Sequence, residues 1–421
     1  YIGKSFMKFI VNGGRKLGGT VAVSGSKNAA TPIVAATILT EKPCVLKNVP
    51  RIGDVATMLQ ILEGMGSRQR WLDPHTVEIV NADLDPKRLD QKLVGRIRSS
   101  ILLVGPLLAR FGAASFTTPG GCRIGARPID THLEAFKDLG ASIEFVNEVY
   151  TVALDRPAVS EVTLREFSVT ATENLMMLGF RYPVTVRLAA AEPHVADLGV
   201  FLRGLGAEVT GEGTLTVSER GGSPGKAVTH RLVNDEVEAG TFAILAAATK
   251  SDITISGAPV AALEATLRKL REMGVAFDVS GKDLLVQGRR SRLQAAKIET
   301  RMYPGIPSDL QAPFGVLATQ AQGTSLIFDT LYDGRLRYID QLKQMGADAS
   351  VLDPHRALVK GPSVLQGTKL DMLDLRAGAT LIIAALIAEG ETALEGAEQI
   401  DRGYEGIDER LRAIGADIRR V

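Results

Sequence analysis

One phrase recurs six times along this chain: an amphipathic helical pattern, a glycine that ends it, and a short strand. The copies read MLQILEGMGSRQ, HLEAFKDLGASIEF, LGVFLRGLGAEVT, LRKLREMGVAFDV, IDQLKQMGADASV and IDERLRAIGADIRRV. Their glycines are Gly66, Gly140, Gly206, Gly274, Gly346 and Gly415, at steps of 74, 66, 68, 72 and 69 residues. Helix–glycine–strand junctions are common, but six at a near-constant period mark one supersecondary unit used six times. Glycine suits the left-handed residue that ends a helix before the chain turns into a strand.

A second phrase recurs out of phase with the first: a run of small apolar residues, a turn, then a strand. It reads IVAATILTEKPCVLKNV, ILLVGPLLARFGAASF, LMMLGFRYPVTVRLA, FAILAAATKSDITISG, FGVLATQAQGTSLIFD and LIIAALIAEGETALEG. These helices carry little charge on any face and belong inside, whereas the first set keeps a face of Lys, Arg, Asp and Glu for solvent. The third copy is irregular, with FRYPVT and Pro183 in place of the usual turn. Each unit therefore holds an inner helix, an outer helix and several strands, an α/β class. A chain of 421 residues exceeds one ordinary core, so six units divide into two domains of three.

Net charge is +1, which provides no basic field for nucleic acid. The longest apolar run, LIIAALIA, is too short to span a bilayer, and YIGKSFMKFI lacks the form of a signal peptide. Two cysteines in so long a chain predict a reducing, cytoplasmic location without structural disulfides. Residues 1–6, ahead of Met7, read as a vector-derived remnant. No feature calls for an obligate protein partner. The dinucleotide, phosphate-loop and nucleophile-elbow motifs are absent, so no cofactor is expected. The five histidines show no i, i+4 or carboxylate-bridged pairing, so no metal site is expected either.

Four segments break the repeat. Ser24-Gly25-Ser26-Lys27-Asn28-Ala29-Ala30 is a glycine turn opening an inner helix, where backbone N–H groups and an ammonium suit an anion. A capped helix with a solvated lysine fits the segment equally well. In Thr117 to Pro128, glycines 120, 121 and 125 predict a loop able to move. There Arg123 and Arg127 flank Cys122, and cations favour the thiolate; Cys44, in KPCVLKNV, reads instead as a small buried hydrophobe. In Tyr303-Pro304-Gly305-Ile306-Pro307-Ser308-Asp309, two prolines and a glycine present one carboxylate at a helix start. That carboxylate reads as an N-cap or as a general base, and the segment alone favours the cap. The fourth break is a set of arginines outside the helical charge pattern: Arg98, Arg335, Arg376 and Arg402. Arg376 heads directly into an apolar helix, where the macrodipole opposes it and an anionic partner is needed. Together the four describe a site for a small, multiply anionic substrate.

These residues resemble the enolpyruvyl transferases, and among them the branch of cell-wall synthesis. The resemblance covers essentially the whole chain from Met7. It is carried by SGSKNAA, RSSI, PGGCRIGARPID, SVTATEN, VEAGT, YPGIPSDLQ, DLRAG and IDRGYE in order. It implies two inside-out α/β barrels of three units each, one formed by residues 7–26 plus 234–421 and the other by 27–233. The implied reaction moves the enolpyruvyl group of phosphoenolpyruvate to the 3-hydroxyl of UDP-N-acetylglucosamine with release of phosphate. This is the first committed step of peptidoglycan synthesis, and it passes through a tetrahedral intermediate. By resemblance, Lys27, Arg98, Arg127 and Arg402 contact phosphoenolpyruvate or the UDP-sugar, and Arg335 and Arg376 complete the anion site. Asn28 and Asp309 face the sugar, and Asp309 takes its hydroxyl proton. Cys122 acts as proton donor, or as the thiol that forms an adduct, on a loop that closes. Pro128, Ile129, Asp130, Thr131, Ser168 and Val169 match positions holding uridine and diphosphate, and Leu331 a further substrate contact. Thr170 stands where the family usually has glycine, and YDGRLRY replaces the usual Asn-Arg-Phe context. The competing expectations are carboxyvinyl transfer to shikimate 3-phosphate or a modified UDP-sugar, and a non-catalytic scaffold that binds nucleotide-sugars.

Overall fold

The computed structural model describes residues 7–121, 128–372 and 375–421. They form two compact units, one of residues 7–24 and 234–421, the other of 25–121 and 128–233. Each contains inner and outer helices, numbered in chain order. The inner helices are α1 (Lys27–Ala36), α4 (Val104–Phe111), α6 (Val169–Gly179), α8 (Glu236–Ala248), α10 (Gln311–Thr319) and α12 (Leu375–Ile387). The outer helices are α2 (Gly53–Gly64), α5 (Asp130–Asp138), α7 (Pro193–Gly204), α9 (Glu264–Glu272), α11 (Tyr338–Gln344) and α13 (Ile407–Ala413). The short α3 (Gln91–Val94) lies outside the repeat.

The inner helices are inside because their sequences are mostly small and apolar, with their few charged residues near helix ends or buried. Every residue of α8 and of α10 is buried, and α12 is buried from Leu375 to Leu386. In the unit built from residues 234–421, α8, α10 and α12 pack on one another. In the other, α4 packs on α6, while α1 and α6 both pack on the 3₁₀ turn Arg98–Leu103 that leads into α4. Outer helices bury one stripe only, as in α9, where Thr266, Leu267 and Leu270 are buried. All six repeat glycines have positive φ, from +79° at Gly274 to +111° at Gly66. The left-handed step read from the sequence ends every outer helix.

Among the described residues, five of the six sheets share one plan, a parallel strand beside an antiparallel trio. In one, Val228–Arg231 runs parallel to Cys44–Lys47, which pairs antiparallel with Thr76–Val80 and through it with Arg68–Asp73. The sixth has three strands, Ala113–Thr117, Val149–Ala153 and Ser142–Val146. Ahead of its inner helix, where the other units place the parallel strand, the chain forms the turn Pro86–Arg88, α3 and the turn Arg98–Leu103. Two N-terminal strands complete sheets of the unit that holds the C-terminus. Lys8–Asn12 lies between Glu391–Glu395 and Asp417–Arg420, and Gly18–Ala22 runs parallel to Asp252–Ser256. No described helix is long and apolar enough to cross a membrane.

Candidate functional site

The unit formed by residues 7–24 and 234–421 gathers its candidates around Asp309. This residue sits in the 3₁₀ turn Ser308–Leu310 that leads into α10. The cap of that turn is Pro307, which makes no side-chain hydrogen bond, so the N-cap reading of Asp309 gives way to an ionic one. Its Oδ1 lies 2.6 Å from Arg335 Nη1, and its Oδ2 lies 3.2 Å from Arg376 Nε. Arg376 is in the first turn of α12 and only 7% exposed. Burial disfavours its charge, but Asp309, then Tyr404 and Asp235, outweigh burial and hold its pKa above the ordinary value. Arg335 shows the same balance, burial being overcome chiefly by Asp309. Its Nε is buried with no hydrogen-bond partner among the described residues, which leaves a donor for a ligand. Aromatic faces back both cations: Arg376 lies 5.4 Å from the Tyr404 ring centre and Arg335 lies 4.9 Å from that of Tyr332.

Arg402 ends the 3₁₀ helix Ala397–Arg402, half-buried, and that helix packs on α12. Leu331 is 39% exposed in the turn after the strand Gly323–Phe328. Two guanidiniums thus share one carboxylate, and their planar forks are of the type that meets carboxylate or phosphate in two-point contact.

In the other unit, Ser26 caps α1 by accepting from Ala29 N at 3.3 Å, as the sequence suggests. Lys27 is not the solvated lysine of the simpler reading. Its Nζ is 2.7 Å from Asp54 Oδ2, its side chain is 16% exposed, and Asp54 is buried in the first turn of α2. Asn28 follows in the same turn of α1. Arg98 opens the turn Arg98–Leu103, and its Nη2 donates to the Pro128 carbonyl at 2.8 Å. That bond places Arg98 beside the start of α5, where Ile129 is buried, Asp130 exposed and Thr131 buried. Thr131 Oγ1 donates to Glu166 Oε1 at 2.8 Å, just ahead of Ser168, which caps α6 by accepting from Ala171 N. Val169 is the first residue of α6, and α5 packs on α6. The candidate nucleotide residues therefore collect at two helix N-termini, where backbone N–H groups favour phosphate. Thr170 fixes this corner through its Oγ1, 2.8 Å from His132 Nε2. Burial, with Arg98 adding to it, pushes the His132 pKa down to about 3.

Cys122 and Arg127 lie outside the described residues. The glycines before them serve close packing: a Cβ on Gly120 would strike the Gly95 carbonyl, and Gly121 has φ +112° against Arg98. Cys44 is buried, its thiol pushed up to about 12 by burial, in line with its reading as a small hydrophobe.

Three acids escaped the sequence reading. Asp54 holds Lys27, Asp329 accepts four hydrogen bonds beneath the Asp309 turn, and Asp197 meets His230 Nε2 at 3.0 Å in a buried pair. Asp197 Oδ2 also accepts from Val233 N at 3.1 Å, which gives the pair a backbone to hold. Among the described residues no group of three potential metal ligands occurs.

Comparison with known proteins gives one answer at three levels. The family model described as EPSP synthase (3-phosphoshikimate 1-carboxyvinyltransferase) matches residues 11–411. The UDP-N-acetylglucosamine 1-carboxyvinyltransferase 1 of Carboxydothermus hydrogenoformans is 42% identical over 98% of this chain and 98% of its own. The UDP-N-acetylglucosamine 1-carboxyvinyltransferase of Halothermothrix orenii is 40% identical over 98% of this chain and 99% of its own. Among solved structures, the enolpyruvyl transferase NikO from Streptomyces tendae superposes with a TM-score of 0.89 at 26% identity, covering 99% of each chain. The chain belongs to the EPSP synthase (3-phosphoshikimate 1-carboxyvinyltransferase) family, the enolpyruvyl transferases, alongside its UDP-N-acetylglucosamine 1-carboxyvinyltransferase relatives.

Proposed function

We propose that this enzyme transfers the enolpyruvyl group of phosphoenolpyruvate to the 3-hydroxyl of UDP-N-acetylglucosamine, releasing phosphate. The observation that carries the reading is the pair of largely enclosed arginines, Arg335 and Arg376, on the single carboxylate of Asp309. Phosphoenolpyruvate is a compact carboxylate and phosphate, and two preorganised guanidiniums can hold its charge as it redistributes. The relatives at 42% and 40% identity support the acceptor.

In this mechanism the sugar 3-hydroxyl oxygen bonds to C2 of phosphoenolpyruvate as Asp309 accepts its proton, and C3 takes up a proton supplied by Cys122. The tetrahedral intermediate then loses phosphate by breaking the C2–O bond to it, the leaving phosphate taking the proton held by Asp309, and a C3 proton returns to the Cys122 thiolate to restore the double bond. Lys27, Arg98, Arg127 and Arg402 contact phosphoenolpyruvate or the UDP-sugar, while Asn28 and Asp309 face the sugar and Leu331 makes a further substrate contact. The starts of α5 and α6, with Pro128, Ile129, Asp130, Thr131, Ser168 and Val169, hold uridine and diphosphate. The residues named take every proton step, so no cofactor is invoked. We place the enzyme in the cytoplasm, in the synthesis of peptidoglycan for cell shape and division. The test is phosphate release from phosphoenolpyruvate with each acceptor in turn. Release with UDP-N-acetylglucosamine is expected; release with shikimate 3-phosphate alone would overturn the assignment.

A further inference from the structure

Asp329 stands just past the end of the strand Gly323–Phe328, and it is 0% exposed. Its Oδ1 accepts from Thr300 Oγ1 at 3.2 Å, Leu331 N at 2.9 Å and Tyr332 N at 3.1 Å. Its Oδ2 accepts from Ser308 Oγ at 2.5 Å. The backbone is fixed as well, since Asp329 N donates to the His355 carbonyl at 2.9 Å and its own carbonyl meets His355 Nδ1 at 2.8 Å. Thr330 continues the join, its hydroxyl donating to the Thr300 carbonyl at 2.7 Å. Four donors converge on one carboxylate. Only an ionised carboxylate offers about four acceptor sites and no donor, so an amide in its place would turn an N–H toward at least one of these donors.

The two turns that this carboxylate ties together carry the two ends of an ion pair. Ser308 immediately precedes Asp309, and Tyr332 supplies the ring under the Arg335 guanidinium. We propose that Asp329 is a positioning residue for turnover, setting the Asp309–Arg335 pair at its 2.6 Å separation through Ser308 on one side and the Leu331–Tyr332 turn on the other. The proposal rests on the carboxyvinyl-transfer reading of the site. The strand delivers Asp329 to the point where both turns meet, and its four hydrogen bonds hold them there. Misplacing a catalytic group by about 1 Å can cost on the order of 100-fold in rate, so the bridge matters more to kcat than to folding.

Asp329→Asn is the direct test and is expected to lower kcat roughly 100-fold while leaving the Kd for UDP-N-acetylglucosamine within about twofold. If that variant folds poorly, Ser308→Ala decides, because it removes one hydroxyl and keeps the rest of the network. Ser308→Ala should slow turnover about 10-fold, and in an Asp309→Asn background single-turnover rates should show no further loss. A Ser308→Ala enzyme at the wild-type rate, or one whose loss adds fully to that of Asp309→Asn, overturns the proposal. Absence of phosphate release by the wild-type enzyme with either acceptor would sink the reaction assignment instead. The positioning role is then judged by the crystal structure of Ser308→Ala: a displaced Asp309–Arg335 pair supports it, an unmoved one refutes it.

Discussion

Arg376 Nε lies 3.2 Å from Asp309 Oδ2 although the two residues open different inner helices, α12 and the turn into α10. Neither group is comfortable there by itself. An arginine in a first helical turn faces the positive end of the macrodipole, and a buried guanidinium without a counter-charge is costly. The same carboxylate answers Arg335 at 2.6 Å. The unit therefore holds two guanidiniums in fixed geometry on one shared carboxylate, with Asp235 adding to the field on Arg376.

Asp309→Asn should retain UDP-N-acetylglucosamine binding and lose turnover by roughly 1,000-fold, within the usual range for removal of a general base. Calorimetric titration with the sugar nucleotide and steady-state phosphate release separate the two effects. Turnover near the wild-type rate would remove Asp309 from the proton transfer.

Fosfomycin, an epoxide that mimics phosphoenolpyruvate, should alkylate Cys122 and spare Cys44. The flanking Arg123 and Arg127 favour a thiolate at Cys122. Cys44 is buried and its thiol is held up to about 12, which leaves almost no thiolate near neutrality. Intact mass should rise by a single adduct, and peptide mapping should place it at Cys122; a second adduct, or one on Cys44, counts against this.

Glu173 is fully buried on α6, and burial pushes its pKa up to about 8, against the smaller opposing influence of His194. The folded state then binds a proton that the unfolded state, with an ordinary carboxyl near 4.5, has released. Stability from this group is complete below about pH 4.5 and falls as pH rises towards 8. His132 acts in the opposite sense. Its depressed pKa of about 3 means that the unfolded state alone gains a proton below about 6.5, so its contribution is lost as pH falls. Glu173→Gln should therefore melt higher than wild type at pH 8, by about 2 °C or more, with the gap closing at pH 5. Melting curves at the two pH values that run parallel for both proteins would show that Glu173 does not titrate in this way.

The repeat glycines are not equivalent. A Cβ on Gly346 would meet nothing nearer than the Val364 carbonyl at 3.4 Å, so Gly346→Ala faces only the strain of φ +97°, about 1 kcal/mol. At Gly274 the same atom would strike the Arg292 carbonyl, and Gly274→Ala should cost about 2 kcal/mol or more, as overpacking does. Urea midpoints for the two variants should differ in that order; equal midpoints would show that the Arg292 segment moves aside.

Much of this architecture is legible in the sequence because it is local. A glycine that ends a helix and a run of uncharged small residues announce themselves within a dozen positions, and both patterns hold in all six units. The need of Arg376 for an anion is also local, since it follows from its place in α12. Its partner is not. Asp309 reads as a cap because cap and ion pair use the same residue at the same helix start, and only folding brings the arginines to it. Asp54 and Asp329 are harder still, each a single acid in GDVATM and FDTLY with nothing nearby to mark it. Lys27 and Asp54 meet because α1 packs on α2, and Asp329 reaches Ser308 across a strand end. The three-stranded sheet was hidden for a similar reason: NADLDPKRLDQKLVGRI carries the turn residues of a loop, and nothing local says that it displaces a strand.

The strand Lys8–Asn12 pairs along its full length with Glu391–Glu395 and along most of it with Asp417–Arg420. On the ribosome, Lys8–Asn12 must wait for Glu391–Glu395 and Asp417–Arg420 to be made. Every described strand of residues 25–121 and 128–233 pairs within that unit, so its sheets can close while the rest is still being made. Synthesis of this enzyme is accordingly nested, with the later-closing unit leaving Lys8–Asn12 unpaired until those partners emerge.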